Sequence, residues 1–237
     1  MAKKQLPVGL SQREIRWGIG YLLFQFMVLG PLFGNILPQA FPQPTINWEL
    51  ICNLINLAAL LWIYHQYLRQ SVKYGIIHFK KLLLITALGL LVYVILIPIS
   101  ENLVKTIRPE IVNFNNEAVE KDLVANPLAT VFGTVFLIPF IEEITYRGLI
   151  FSGLHQKNPT IAYLVSILGF SMLHVVGYWE SQSMFDAFLT LIPYIPATLI
   201  LTVAYEKSGS ILAPVLIHTA VNAIIATKSL LLLTGRS

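Results

Sequence analysis

The chain has 237 residues, of which 56% are hydrophobic and only 12% are charged. Its mean hydropathy is +0.70. Soluble domains are about 45 to 50% apolar and about 25% charged, so this composition excludes an ordinary soluble protein and indicates a membrane protein. The net charge of +4 comes from loops rather than from a basic face, so it indicates membrane orientation and not a nucleic-acid partner, and the single cysteine excludes a disulfide framework.

Seven apolar segments are long enough to be membrane-spanning helices. In chain order they are Trp17 to Leu37, Trp48 to Leu68, Leu82 to Ile99, Pro127 to Phe151, Ile161 to Tyr178, Phe185 to Tyr205 and Ile211 to Leu233. No separate stretch of polar, low-complexity or Pro/Ser-rich sequence could form a soluble domain. The pattern predicts one all-α integral membrane domain over residues 1–237, a polytopic transmembrane bundle of about seven to eight helices.

Basic residues lie before the first span and between the second and third spans, whereas the loop from Phe41 to Asn47 has none. They are Lys3, Lys4, Arg13, Arg16, Arg69, Lys73, Lys80 and Lys81. By the positive-inside rule, this distribution predicts a multi-pass protein of the cell membrane with a cytoplasmic N-terminus. Seven spans would place the C-terminus outside.

The longest connection follows the third span. The stretch from Glu101 to Asn126 mixes charged with apolar residues, and its part from Pro109 onward is net acidic. With a cytoplasmic N-terminus this loop falls outside, and its lack of net positive charge agrees with the positive-inside rule. Its composition fits either an amphipathic helix on the membrane surface or a solvated loop.

The fourth span carries three charges in the run FGTVFLIPFIEEITYRGLIF. A charge near the bilayer centre costs about 2.5 to 3.5 kcal/mol, whereas each Leu, Ile, Phe or Val contributes only about 0.3 to 0.6 kcal/mol in the opposite sense. Glu143 and Arg147 have the i, i+4 spacing of an ion pair, which accounts for both. Glu142 lies about 140° around the helix from Arg147. A carboxylate without its own cation in such a span suits a general base.

Two later spans carry polar residues at i, i+4. Phe170 and His174 share one face of the fifth span, and His218 and Asn222 share one face of the seventh. The last two present donors toward one point, as an oxyanion site requires. For each residue alone, an interhelical hydrogen bond explains the sequence equally well. Together with Glu142, on three adjacent spans, they favour a catalytic site.

The depths of these residues make a further prediction. At about 1.5 Å per residue, Glu142 and His174 reach the same depth only if the fourth helix continues through SGLH to His155. His218 is then too shallow, which predicts a tilted helix or a seventh helix that begins before Ile211. The remaining histidines are predicted to be interfacial or solvated: His65, His78 and His155.

The three motifs are Glu142-Glu143-x-x-x-Arg147, Phe170-x-x-x-His174 and His218-x-x-x-Asn222. In this order and on separate spans, they resemble the CPBP family of intramembrane proteases (CAAX protease and bacteriocin-processing, or Abi), relatives of the Ras-converting CAAX endoprotease. The resemblance covers roughly residues 127–225 and every motif position is matched. It implies an eight-helix or similar all-α fold with the site in a cavity within the membrane.

The resemblance also implies the activity, which is intramembrane hydrolysis of peptide bonds in membrane-associated or lipidated substrates, either CAAX-type tails or bacteriocin and other peptide precursors. Carried over to this chain, Glu142 would activate a water together with His174. His218 and Asn222 would stabilise the tetrahedral oxyanion. The supporting residues are Glu143, Arg147 and Phe170, of which the first two keep the role of a structural ion pair.

No cofactor is expected, but divalent zinc is an alternative. Glu142, His174 and His218 are a plausible three-ligand catalytic set, and family members have been called metalloproteases. No H-E-x-x-H motif is present. The adjacent ion pair and the donor pair on the seventh span favour a metal-independent glutamate mechanism. A rhomboid-type serine site is disfavoured because GFSM at Ser171 lacks the last glycine. An aspartyl site is disfavoured because the aspartates lie in or beside outer loops.

Two other classes of function remain open. A non-catalytic immunity or scaffold protein of the same fold would act without Glu142, and a proton-coupled transporter would require an ion gradient. The expected partners are the lipid bilayer and a membrane-bound or lipidated peptide or protein. Nucleic acid is not expected, and the sequence predicts no oligomeric state.

Overall fold

The computed structural model describes residues 6–42 and 47–233, and within them the chain is helical without a β-strand. In chain order the helices are α1 (Gln12–Ala40), α2 (Trp48–Ile63), α3 (His65–Ile77), α4 (Phe79–Ile107), α5 (Phe114–Ala125), α6 (Pro127–His155), α7 (Pro159–Val176), α8 (Met184–Ser208) and α9 (Leu212–Leu233). Six of these, all but α2, α3 and α5, are long and apolar enough to cross a membrane. The predicted all-α polytopic bundle is confirmed.

The second predicted span is wrong as one continuous helix from Trp48 to Leu68. The chain bends by 82° between α2 and α3, so the described residues give six membrane-crossing helices, or seven if this pair counts as one span. A carboxylate from α1 stabilises the bend, because Glu14 Oε1 accepts the backbone N–H of Tyr67 at 2.9 Å. That N–H lies in the first turn of α3, where the helix itself offers no acceptor.

One end of the bundle collects the start of α1, helix α3 and the loop between α8 and α9. Beside the contact of Glu14, Ser210 Oγ donates to the Ser71 carbonyl at 2.7 Å, and the Ile211 N–H donates to Ser71 Oγ at 2.8 Å. We call this the basic end, since Arg13, Arg16, Arg69 and Lys73 lie in the same segments. Lys3 and Lys4, which contribute to the predicted orientation, lie outside the described residues. A cytoplasmic basic end therefore stays a prediction.

The opposite end of the bundle is formed by the connections around α5 and between α7 and α8. Arg108 Nε donates to Asp186 Oδ1 at 3.1 Å. The segment from Glu101 to Asn126 is partly the end of α4 and partly α5, so Phe114–Ala125 is helical rather than a loop, while an amphipathic helix on the membrane surface stays a prediction. Leu123 is the buried anchor of α5. These contacts place α5 on the bundle as a cap over the opposite end.

Of the two predictions made from residue depths, one concerns the end of the fourth span and the other the start of the seventh. The predicted continuation of the fourth helix to His155 is confirmed, because α6 ends there. The seventh helix does not begin before Ile211, since α9 begins at Leu212. The loop before it is buried instead, with Ser210 and Ile211 at 0% and 3% exposure. Because α3 covers this loop, α9 starts below the surface of the bundle.

For His155, predicted to be interfacial or solvated, the solvated alternative is wrong. This side chain is 3% exposed, its Nε2 lies 3.2 Å from Glu206 Oε1, and its ring packs on Phe151 with the centroids 5.0 Å apart. The same carboxylate accepts the hydroxyl of Tyr163 at 3.1 Å. An acid on α8, 51 residues away in sequence, thus makes burial of the histidine tolerable. The other two, His65 and His78, are exposed as predicted.

Replacing Gly209 by alanine should destabilise the protein. Gly209 ends α8 with φ of +75°, and a Cβ there would lie 2.5 Å from Pro7 Cγ and 2.8 Å from Tyr74 Cε1. The left-handed backbone alone costs a residue with a Cβ about 1 to 2 kcal/mol. We expect the thermal midpoint in detergent to fall by at least about 2 to 4 °C. The matched control is Gly177→Ala, because Gly177 follows α7 at φ −62° with open space around its Cβ position. Equal midpoints for the two variants would contradict the packing described for the basic end.

Candidate active site

The charges of α6 lie near the middle of that helix. Glu142 is about 20 Å from the end at His155 by helical rise. The side chains of Glu143 and Arg147 are both 0% exposed, and that of Glu142 is 12% exposed. Two adjacent carboxylates on one helix therefore have different surroundings. Two wide π-helical stretches, Phe132–Leu137 and Ile144–Phe151, flank the pair. Such turns are frequent at functional sites because they redirect side chains.

Arg147 is held from three directions inside the bundle. Its Nη1 donates to Glu143 Oε1 at 3.0 Å, and its Nη2 donates to the Thr198 carbonyl of α8 at 3.1 Å. The guanidinium carbon lies 4.6 Å from the centroid of the Phe170 ring of α7. The ion pair, the hydrogen bond and the cation–π contact offset the cost of removing this cation from water. The predicted i, i+4 ion pair is present.

His218 of α9 lies between the two carboxylates. Its Nδ1 is 2.9 Å from Glu143 Oε1 and its Nε2 is 3.7 Å from Glu142 Oε2. Because an ionised carboxylate only accepts hydrogen bonds, Nδ1 carries a hydrogen and donates to Glu143. The Nε2 atom and the Glu142 carboxylate would then be two acceptors facing each other. One proton held by either of them makes this contact attractive.

The side chain of Asn222 donates a hydrogen bond to a backbone carbonyl and does not contact His218 through one. Its Nδ2 donates to the Thr134 carbonyl of α6 at 2.8 Å, and no hydrogen bond joins Asn222 to His218 among the described residues. The sequence explains why this carbonyl is free. In the π-helical stretch the preceding bond runs from the Ile138 N–H to the Gly133 carbonyl. The next donor would come from position 139, which is a proline and has no N–H.

His174 is fixed by its own helix and by α8. Its Nδ1 lies 3.0 Å from the Phe170 carbonyl, so Nδ1 carries the hydrogen and Nε2 is left free. Its ring stacks on Tyr194 with the centroids 4.4 Å apart and the planes at 27°. The Phe170 ring lies between the two histidines, 4.9 Å from that of His174 and 5.8 Å from that of His218. No hydrogen bond links His174 to Glu142 within the described residues.

The structure brings most of the predicted residues into contact with one another. Direct contacts connect Glu142, Glu143, Arg147 and His218. Phe170 packs on His174 and on His218 and so links His174 to these four residues. Asn222 bonds to a backbone carbonyl instead. Sequence reasoning missed Thr134 and Thr198, which act through their backbone carbonyls and so leave no side-chain signal. It also missed Tyr194, which stands alone in sequence. For Thr134, a proline five residues later was the available signal.

The zinc alternative named Glu142, His174 and His218 as ligands. Among the residues that the structure describes, no three His, Cys, Asp or Glu side chains are placed to hold a metal ion together. The Nδ1 atom of each histidine is engaged, one by a carbonyl and the other by Glu143, so the Nε2 atoms are the ones that could bind a ligand. A zinc ion at these residues stays an expectation.

Comparison with known proteins supports the resemblance seen in the motifs. Residues 124–224 match the family described as Rce1-like, type II CAAX prenyl endopeptidase Rce1-like. This segment nearly coincides with the predicted motif-bearing core at 127–225, and it confirms the resemblance there. UPF0177 protein YxdF of Lactococcus lactis subsp. lactis (strain IL1403) is 27% identical over 86 residues, which are 36% of this chain and 42% of that protein. The similarity thus spans less than half of either chain. No solved structure gives a significant match.

Replacing Glu143 should destabilise the protein far more than replacing Glu142. Glu143→Gln leaves the buried Arg147 without its counter-charge, and breaking a buried pair costs about 3 to 5 kcal/mol. Glu142→Gln removes a carboxylate that forms no hydrogen bond to a cation. We expect the thermal midpoint in detergent to fall by more than about 6 °C for Glu143→Gln and by no more than about 2 °C for Glu142→Gln. A larger effect from Glu142→Gln would contradict the assignment of the ion pair.

A double-mutant cycle tests the explanation of Asn222. Asn222→Ala should cost about 0.5 to 1 kcal/mol of stability in the wild-type background, as interhelical hydrogen bonds in membranes do. In a Pro139→Ala background the new backbone N–H can serve the Thr134 carbonyl, so the same substitution should cost less. The measurement is the thermal midpoint of the four proteins. Strict additivity would show that Pro139 and Asn222 are not linked through this carbonyl.

Proposed function

We propose that the chain is a glutamate-dependent intramembrane endopeptidase that hydrolyses peptide bonds of membrane-associated or lipidated proteins and peptides. The family match supports CAAX-type protease activity as the general class. The observation that carries the specific proposal is the unequal environment of the two adjacent carboxylates. Glu143 is 0% exposed and its Oε1 accepts hydrogen bonds from Arg147 and His218, whereas Glu142 is 12% exposed and accepts no such hydrogen bond from the described residues. The Oε2 atom of each acid is buried without a hydrogen-bond partner. Two acids with different surroundings are suited to different roles.

In the proposed reaction, Glu142 is the general base. It takes a proton from a water molecule while the water oxygen forms a bond to the carbonyl carbon of the substrate. The free Nε2 of His174 accepts the other hydrogen of this water in a hydrogen bond and orients it. When the tetrahedral intermediate collapses, the carbon–nitrogen bond breaks and the proton held by Glu142 passes to the leaving amine. The carboxylate is thereby restored.

The oxyanion is assigned to His218, with Asn222 as the second donor. In its protonated form His218 donates from Nε2 to the oxyanion while its Nδ1–H stays bonded to Glu143. Because Glu143 is held in turn by Arg147, the orientation of the imidazole is set before the substrate arrives. Asn222 has a second amide hydrogen beyond the one donated to Thr134, and this hydrogen is the one available to the substrate. No step of this proposal runs through a metal ion.

The substrate class follows from the setting of the site. Glu142 lies near the middle of a 29-residue helix, so the peptide bond must be brought to membrane depth. A substrate carrying a lipid or a membrane-spanning segment satisfies this requirement. The description of the matched family names CAAX prenyl substrates, and a bacterial peptide precursor with a membrane anchor has the same chemistry at the scissile bond.

Comparing peptidomes tests the proposal and identifies the substrate in the same experiment. Membrane and secreted peptides from cells with the wild-type protein are compared with those from cells with Glu142→Gln or His174→Gln at equal abundance. We expect a set of new C-termini that is lost in both variants, since removing a general base lowers the rate by about 10²- to 10⁴-fold. The matched controls are Glu101→Gln and His78→Gln, because both side chains are exposed and distant from the site in sequence.

The outcome also separates the other classes of function. If the peptides are the same in all five strains while the biological effect of the protein persists in the two site variants, the chain is a scaffold or immunity protein and the protease proposal fails. A third outcome would favour proton-coupled transport over the protease proposal. In that outcome the peptides are unchanged, the biological effect is lost in the two site variants, and it also disappears in wild-type cells when the proton gradient is abolished.

A further inference from the structure

The imidazole ring of His174 packs against two aromatic rings. Phe170, one turn earlier on α7, lies with its ring centroid 4.9 Å away and its plane tilted by 38°. Tyr194 of α8 is stacked on the imidazole at 4.4 Å with an angle of 27° between the planes. The hydrogen bond from Nδ1 to the Phe170 carbonyl comes from the same helix turn as Phe170 itself. Tyr194 is therefore the contact that holds the ring from another helix.

The hydroxyl of Tyr194 is itself held by the start of α5. Asn113 Nδ2 donates to it at 3.1 Å and Asn115 Nδ2 donates to it at 3.4 Å. Asn113 has a second role, because its Oδ1 accepts the Asn116 N–H and caps α5. A tyrosine ring placed beside His174 is thus anchored at its far end to a helix that does not cross the membrane.

Other contacts dock this part of the chain without reaching the site. The Phe114 ring stacks on Tyr178, with centroids 6.3 Å apart and planes at 20°. Arg108 pairs with Asp186 at 3.1 Å. Neither contact involves the ring of His174 or that of Tyr194, so removing either one takes away none of the contacts described for these two rings. The chain therefore offers a control for a purely structural effect of this segment.

We propose that Tyr194 is a positioning residue for His174, and that Asn113 and Asn115 hold Tyr194 in place from the start of α5. The proposal rests on the proposed protease function, in which the free Nε2 of His174 orients the attacking water. Stacking fixes the plane of the imidazole and hence the direction of Nε2. Because Tyr194 does not touch the water or the scissile bond in this scheme, it affects the chemical step and not substrate binding.

Kinetics in proteoliposomes test this proposal. The probe is an internally quenched peptide with a farnesylated CAAX C-terminus, or, if the wild type does not cleave it, a peptide whose release depends on Glu142 in the peptidome comparison. We expect Tyr194→Leu to lower kcat by about tenfold or more with KM within about twofold, because misplacing a catalytic group lowers the rate of the chemical step. Tyr194→Phe keeps the stacked ring and should recover kcat to within about threefold of the wild type.

Two further variants distinguish positioning from general loosening. Tyr178→Leu removes the stack on Phe114 and should leave kcat and KM within about twofold of the wild type. Asn113→Ser retains a capping side chain for α5 but is too short to hold Tyr194, so it should lower kcat by about threefold. It also keeps the proposal open to test if Tyr194→Leu does not fold. Equal kcat values for wild type, Tyr194→Leu and Asn113→Ser would overturn the inference.

A second measurement does not depend on proteolysis. The rate at which diethylpyrocarbonate modifies His174 is followed by mass spectrometry in the same proteoliposomes. Tyr194→Leu uncovers one face of the ring and should raise this rate about threefold or more, whereas Tyr178→Leu should not change it. An unchanged rate in Tyr194→Leu would refute the stacking role even if kcat fell. If the wild type and Glu142→Gln show the same peptide cleavage, the proposed function itself fails. The modification rate still decides in that case whether Tyr194 holds the imidazole ring of His174.

Discussion

The ion pair between Glu143 and Arg147 is the interaction on which the centre of this bundle depends. Both side chains are completely buried, and neither charge is tolerable there alone. Their remaining partners come from other helices: the Thr198 carbonyl from α8, the Phe170 ring from α7 and the His218 imidazole from α9. The groups that contact this buried ion pair thus come from four helices, α6 to α9, which meet at the same depth. The contacts that stabilise the ion pair therefore also bring the residues of the candidate site together.

The same requirement separates two neighbouring acids. Successive residues on a helix point about 100° apart, so α6 can bury one carboxylate completely and leave the next 12% exposed. Glu143 Oε1 accepts hydrogen bonds from Arg147 and His218, and Glu142 Oε2 lies 3.7 Å from the other ring nitrogen of that histidine. An acid that is already hydrogen-bonded can orient a partner but is poorly placed to accept a proton from water. This difference is the basis of the proposal that Glu142 is the general base.

Backbone carbonyls complete the arrangement, and helix-breaking residues expose them. Pro139 leaves the Thr134 carbonyl without its helical donor, and Asn222 supplies a replacement from α9. The buried loop at 208–211 has a comparable role, since Ser71 satisfies its polar groups and lets α9 start below the surface. This deep start resolves the apparent shallowness of His218. At both places the chain departs from a regular helix, and the backbone groups that are freed there form hydrogen bonds with polar groups of another segment. Burial in a low-dielectric interior requires such partners.

The sequence by itself determined the features that depend on local patterns. Hydropathy predicted the all-α class and the long apolar helices. A comparison of residue depths predicted that α6 continues to His155, and the i, i+4 spacing predicted the ion pair of Glu143 and Arg147. Only the tertiary structure decided which partner each polar group has. Glu143 and His218 are 75 residues apart, and His155 and Glu206 are 51 apart. The bend at α3 likewise depends on Glu14, far away in α1. Such contacts arise when helices pack, and no periodicity within one helix encodes them.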